Sequence, residues 1–471
     1  MLLAVATLFG IIAFAEYHMT GGFWRHEKTG KMLYSESECH GLQSSVRTCR
    51  LSNVCFVHVG ERTGSNGEDP QLLFFARRGH APLLDAEAMR CSLRTYPQGA
   101  GVLNLTDLEP SLVPQVESGA AFGPDEALWL DLGLRYTGRG LNHFGHALTD
   151  DLYPAWYTMR HFGELERMRT ATVLLSHPSA GDRFLRKWWS LILASPDGRK
   201  PRGQVLDVKT AFSNKTAALA AAAVTEDKRQ ARAVCFKTLI YGMGEMARFF
   251  NYHNTYAPYG THEKTFFAQA PLLREFADFT LAALGFEPRT APPQRHSVVL
   301  LAKTDRRRIV NLSDLAGMLR RVLGTKADVR LVNPAALTLR EQARLMQGTT
   351  VAVSQLGGHM YSSLWLPQGA KLVYVGGDEL GEYLWSEMDL RTVFTHLPGV
   401  AAMRYVFDDS PGETAIGSLT CERPLMVGCD VRLSPRKVCR LVVGAVMSID
   451  ANRAKSDALD VSWESCADLP S

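Results

Sequence analysis

Between residues 297 and 375 apolar strands alternate with amphipathic helices so regularly that few folds remain open to the chain. Ser297-Val298-Val299-Leu300-Leu301-Ala302 is apolar without a break, as a parallel strand covered on both faces requires. Leu315, Met318, Leu319, Val322 and Leu323 then recur at helical spacing, so the helix over 313–323 buries one stripe. A strand over 328–332 follows. Thr338-Leu339-Arg340-Glu341 reads as a capping box that opens a helix to about Met346. Strand 350–354, a Gly-containing loop, a short helix through Leu364 and strand 371–375 complete a β-α-β-α-β-α-β series. Such units wind right-handed and present ligands at the carboxyl ends of their strands, so Lys303 to Arg308 and Ser354 to His359 are expected to face one crevice.

The rest of the chain is read around that series. Strand candidates at 127–131, 171–176, 204–208 and 234–241, with helices near 143–162 and 181–194, make a second region of α/β alternation. Residues 271–286 read as an amphipathic helix, and Thr290-Ala291-Pro292-Pro293 breaks the chain before the cleaner series. The expected organisation is a leader over 1–15, an N-terminal α/β domain with a Cys-rich beginning over 16–260, a nucleotide-binding domain over 261–400 and a Cys-containing extension over 401–471.

Composition narrows the function. With 52 Lys plus Arg against 48 Asp plus Glu, the net charge of +4 gives no support to nucleic-acid binding. The first fifteen residues, MLLAVATLFGIIAFA, are apolar, end in Ala13-Phe14-Ala15 and fall short of the roughly 20 residues of a spanning helix. Cleaved signal peptide, signal anchor and buried strand are the readings they allow. Cys39, Cys49, Cys55 and Cys91 cluster early, and Cys421, Cys429, Cys439 and Cys466 cluster late, with Cys235 apart. Two terminal sets of four fit disulfides in an oxidising lumen, and no pair has the two-residue spacing of a zinc knuckle. Asn104-Leu105-Thr106, Asn214-Lys215-Thr216 and Asn311-Leu312-Ser313 have the form of glycosylation sequons.

Two clusters carry chemistry. In the first, Gly357 and Gly358 let backbone approach a ligand, helix amides after them hold phosphate, and Lys303, Arg307 or Arg308 neutralise a diphosphate. Ser354 and His359 complete this candidate donor site, for which a plain turn is the alternative. The second is Leu141-Asn142-His143-Phe144-Gly145-His146-Ala147-Leu148-Thr149-Asp150-Asp151-Leu152-Tyr153-Pro154. As a helix it gathers His143, His146 and Asp150 on one face, opposite Leu148, Leu152, Ala155 and Met159. His146 with Asp150 or Asp151 is a natural general-base pair for a sugar hydroxyl. A solvated helix start and a metal-dependent hydrolase site on His143, His146 and Asp150 are the competing readings.

These blocks resemble glycosyltransferase family 61. Asp150-Asp151-Leu152-Tyr153-Pro154 after His146 resembles its "NxxH…DDLLP" segment. Arg307 and Asn311 behind Lys303 resemble its "R…R…N" strand end, and Leu364-Trp365-Leu366-Pro367-Gln368-Gly369-Ala370 resembles its "LFLPxGA" signature. Arg47-Thr48-Cys49-Arg50 with Cys55, and Cys235-Phe236 with Gly242, are similar to two further blocks in the same order. The resemblance implies two Rossmann-like domains facing a cleft, the GT-B arrangement, and inverting transfer from a nucleotide sugar with no metal or other cofactor. It implies UDP-GlcNAc as donor, with UDP-xylose as the alternative, and a glycan or O-mannosylated glycoprotein as acceptor. The location implied is the endoplasmic reticulum or Golgi lumen, with membrane contact only through the N-terminal segment. A fibronectin-type domain found C-terminally in part of the family has no counterpart in the sequence. Leu356 stands where the family has His, Lys303 where it has Arg, Tyr374 where it has Glu and His143 where it has Asn, so a sugar-binding pseudoenzyme is the rival expectation.

Overall fold

The computed structural model describes residues 36–41, 47–58, 71–75, 91–92, 102–108, 121–122, 126–129, 145, 147–168, 172–175, 191, 193, 204–207, 232–242, 260–304, 308–355, 357–375, 397, 399–406, 414–416, 430–453, 466–467 and 469. Residues 1–15, most of the helix read at 181–194, and Cys421 and Cys429 lie outside them. The chain divides into two compact units, one of residues 1–140, 149–193 and 201–255, the other of 141–148, 194–200 and 256–471.

The first unit is built on a ten-stranded sheet. Its strands are β1 (Glu36–His40), β2 (Thr48–His58), β3 (Gln71–Phe75), β4 (Cys91–Ser92), β5 (Val102–Leu108), β6 (Ala121–Phe122), β7 (Glu126–Trp129), β8 (Thr172–Leu175), β9 (Gln204–Asp207) and β10 (Arg232–Tyr241). The order is β4-β5-β3-β2-β10-β7-β8-β9, with β1 beside β2 and β6 beside β10. From β10 through β7 and β8 to β9 neighbours run parallel, as the α/β alternation predicts. Beyond β10 the sheet turns antiparallel at β2, where a hairpin partner, β1, is locked by the Cys39–Cys49 disulfide between directly opposed residues. The sheet is therefore mixed, not a simple Rossmann sheet. The helices described in this unit are α1 (Tyr153–His161) and α2 (Leu165–Met168). Arg50 on β2 reaches Glu38 on β1 and, at 3.0 Å, Glu164 just ahead of α2.

The second unit holds a five-stranded sheet, every adjacent pair parallel. Its elements are α3 (Gly260–Ala283), β11 (His296–Leu301), α4 (Leu312–Leu323), β12 (Ala327–Val332), α5 (Leu339–Gln347), β13 (Val351–Gln355), β14 (Lys371–Val375) and β15 (Ala401–Tyr405). The hairpin strands β16 (Thr414–Ile416) and β17 (Asp430–Arg432) and the helix α6 (Pro435–Asn452) follow. The sheet order is β12-β11-β13-β14-β15. Residues 401–471 are thus no appendage, because β15 adds an edge strand and α6 joins the core. Val298, Leu300, Val351, Val353, Val373, Val375 and Tyr405 face the apolar stripes of α4 and α6, and Cys439–Cys466 ties α6 to the chain behind it.

The opposite face is covered by α3, α5 and a 3-10 helix over Gly358–Trp365. These three are joined at one residue: the Trp365 indole donates to Thr280 of α3 at 3.0 Å, and its carbonyl accepts from Gln347 of α5. Arg274 of α3, also buried, donates to the Leu366 carbonyl at 3.1 Å. The capping box forms as read: the Thr338 amide donates to Glu341 Oε2 at 2.8 Å and the Glu341 amide to Thr338 Oγ1 at 3.2 Å. At Gly369, φ is +83° and an added Cβ would lie 3.0 Å from Pro292, so the Gly-Ala step of the 367–370 turn has a steric cause.

At the amino end of β11, His296 is buried with Nε2 2.8 Å from Asp450 Oδ1 and 3.2 Å from Arg453 Nη1. Its Nδ1 is buried and has no hydrogen-bond partner among the described residues. Burial pushes the imidazole below its ordinary value and Arg453 adds to this, against the pull of Asp450. The fold therefore favours the neutral ring, so below about pH 6.5 the unfolded chain binds a proton that the native one resists. Stability is expected to fall as pH drops from that value, and urea titrations should find this loss flattened in His296→Gln. Separately, Leu319→Ala, which empties a fully buried site in α4, should cost about 2–5 kcal/mol in the same assay.

Candidate functional site

In a parallel sheet of order 2-1-3-4-5, consecutive connections leave strands 1 and 3 in opposite directions, and a crevice opens where they part. Here the strands are β11 and β13, paired from Val298↔Val351 to Leu300↔Val353. Lys303 follows the carboxyl end of β11 and Gly357 that of β13, so the segments expected to meet do leave adjacent strand ends. Arg307 and Leu356 lie outside the described residues.

Gly357 makes the turn possible. It has φ 146° and ψ −178°, a region essentially reserved for glycine, and it is buried. The helix it begins is 3-10 wound, not α, with Met360 donating to the Gly357 carbonyl at 2.9 Å. Gly358 and His359, both half-buried, form its first turn, and Ser362 donates to the His359 carbonyl at 2.8 Å. Ser354, at the end of β13, is buried and gives its hydroxyl to the Gln355 carbonyl at 3.0 Å.

Arg308 is committed elsewhere in the same unit. Its Nε and Nη2 donate to Asp430 Oδ2 at 2.9 and 2.6 Å, and its amide donates to Oδ1 at 2.7 Å. Val431 donates to the Arg308 carbonyl at 2.7 Å, and Val310 to that of Val431 at 2.8 Å, so the loop after β11 is bridged to β17. Arg308 holds the Asp430 carboxyl below its ordinary value, against a smaller upward push from burial, and Lys303 adds to the lowering. Nothing in the sequence marks Asp430 as a partner, because the pair spans 122 residues. Asn311 is similarly spent: Nδ2 donates to the Leu433 carbonyl at 2.8 Å and Oδ1 accepts from the Leu433 amide at 3.1 Å. Buried and doubly bonded, it is not a glycosylation acceptor in the folded chain.

In the second cluster, residues Ala147–Leu152 wind as a π-helix, and α1 begins at Tyr153 with Pro154 in its first turn. The one-face geometry expected of His143, His146 and Asp150 assumed α-helical steps of three and four, whereas the described turn over Ala147–Leu152 is wound i→i+5. His143 and His146 lie outside the described residues; Asp150 and Asp151 are placed by backbone only, within the π-helical turn. The apolar set read opposite them, Leu148, Leu152, Ala155 and Met159, is buried. Tyr153 and Trp156 are also buried and stack at 5.7 Å, fixing the chain immediately after the acidic pair. Among the described residues no group of three or more His, Cys, Asp or Glu is placed to hold a metal ion.

Gly357→Ala is expected to cost about 1–3 kcal/mol through its forbidden backbone region, read as a lower urea midpoint. Gly358→Ala, at a helical position, should move the midpoint less.

Sequence comparison supplies the family. The model of the family Glycosyltransferase 61 matches residues 144–373. Protein O-linked-mannose beta-1,4-N-acetylglucosaminyltransferase 2 of Canis lupus familiaris is 24% identical over 343 residues, covering 71% of this chain and 51% of its own length. The protein of that name from Homo sapiens is 23% identical over 338 residues, with 71% and 51% covered. That from Takifugu rubripes is 24% identical over 356 residues, with 71% and 52% covered. The chain thus spans about half the length of the curated relatives it matches. Residues 144–373, which carry the acidic pair, the β11–β13 strand ends and the Gly357 turn, are a Glycosyltransferase 61 domain.

Proposed function

We propose that the chain is an inverting glycosyltransferase that moves N-acetylglucosamine from UDP-GlcNAc to a hydroxyl of a glycan or O-mannosylated glycoprotein. The observation that carries this reading is the switch point between β11 and β13, with a glycine-only turn at one strand end and Lys303 at the other. Such a crevice suits a nucleoside diphosphate. The donor and acceptor are taken from the names of relatives that share about a quarter of their residues with this chain. The Cys39–Cys49 and Cys439–Cys466 disulfides support a place in the oxidising lumen of the endoplasmic reticulum or Golgi. Among the described residues no helix is long and apolar enough to cross a membrane, so any anchor is assigned to the N-terminal segment.

In this mechanism the two units act as the halves of a GT-B enzyme. His146 with Asp150 or Asp151 takes the proton of the acceptor hydroxyl, whose oxygen attacks the anomeric carbon in line as the bond to UDP breaks. Lys303 and Arg307, with the amides of the Gly357-Gly358-His359 turn, stabilise the charge gathering on the departing diphosphate. No metal is assigned a step. Arg308 has a lesser place here, since its fork is held by Asp430. A second reading, in which the chain uses UDP-xylose or binds a sugar nucleotide without transfer, draws on Leu356 and on Tyr374, a buried residue of β14 where the family has Glu.

Incubation of the purified chain with a panel of nucleotide sugars and an O-mannosylated peptide is expected to yield UDP and an extended glycan from UDP-GlcNAc. Turnover of UDP-xylose alone would select the other donor, and UDP binding without turnover of any sugar would select the pseudoenzyme. Asp150→Asn should lower turnover about 100- to 10,000-fold while UDP affinity is kept. Unchanged turnover in both Asp150→Asn and His146→Gln would remove the base assignment.

A further inference from the structure

Ser354, Tyr374 and Arg404 stand directly opposite one another across β13, β14 and β15, each one residue short of its strand's carboxyl end. Their alternate neighbours Val353, Val375 and Tyr405 face α4 and α6, so this row belongs to the face covered by the 3-10 helix. Arg404 is half-buried, and its Nε is shut off from solvent with no hydrogen-bond partner among the described residues. No ion pair of Arg404 is present among them either. A guanidinium N–H in that position forfeits its water bond without replacement, which folded chains rarely tolerate unless an acceptor arrives from outside. Parallel strands lie about 4.8 Å apart, so β15 is roughly 10 Å from β13. A nucleoside diphosphate seated at the β11–β13 switch point is long enough to reach it.

We propose that Arg404 is an anion-binding residue of the donor site, its guanidinium taking the diphosphate of the nucleotide from the β15 side of the crevice. This rests on the nucleotide reading given above and adds to it a cation that the sequence does not single out. With Arg308 clasped by Asp430, Arg404 supplies the planar fork that Lys303, standing where the family has Arg, cannot. Removing its charge relieves a buried donor and leaves the core residues on the other face of β15 untouched.

The test is calorimetric titration of the full-length chain and of Arg404→Met with UDP and with uridine, alongside thermal unfolding without ligand. UDP affinity is expected to fall at least tenfold in Arg404→Met, uridine affinity to stay within twofold, and the unliganded midpoint to hold or rise. Arg404→Lys keeps the charge and loses the fork, and a several-fold loss for UDP alone is expected there; it carries the same test if the methionine variant does not fold. UDP affinity within twofold of the parent in either folded variant overturns the assignment and leaves the nucleotide site standing. A lowered midpoint with unchanged UDP affinity overturns it in favour of a packing role. If the parent binds none of UDP, GDP, CDP or ADP, the nucleotide reading itself fails and the Arg404 assignment falls with it.

Discussion

Strands β11 and β13 are buried at every residue, and a backbone held that far from water keeps its polar groups paired only while neighbours flank it on both sides. The second unit follows from that condition. Strand β12 covers one side of the pair, and β14 and β15 extend the other. One face takes α4 and α6, and the other takes α3, α5 and the 3-10 helix, which meet at Trp365. The carboxyl ends of β11 and β13 stay in place because both faces are closed.

Polar groups near those ends divide into those used for the fold and those left for chemistry. Arg308 and Asn311 hold the loop after β11 to Asp430 and Leu433, and both are satisfied within the chain. Their partners come from the far end of the sequence, so the C-terminal segment helps shape the crevice although it contributes no residue to the family match over 144–373. Arg404 has the opposite character: it stands near the end of β15, and its buried Nε has no hydrogen-bond partner among the described residues.

The β-α-β series was legible because burial imposes a period on each element. The apolar run at 297–302, the stripe from Leu315 to Leu323 and the Thr338–Glu341 capping box each emerge close to where the spacing puts them. The acidic segment was less legible. Its apolar side is buried as the period requires, but the backbone over Ala147–Leu152 winds as a π-helical turn that the period does not record. Hydrophobic spacing sets which side of a helix goes inward and is nearly blind to an extra residue in one turn, so the side was readable and the winding was not.

Local chemistry in the sequence was enough to establish a parallel α/β half, the helix starts that frame it and the glycine turn at the end of one of its central strands, since each depends on residues within a few positions of one another. Strand order, the mixed sheet of the first unit, the inclusion of residues 401–471 in the second and the partners of Arg308 and Asn311 were decided only by the tertiary structure. Those pairings join residues up to 122 positions apart, and no period or motif records which distant acceptor a side chain will meet once the core has closed.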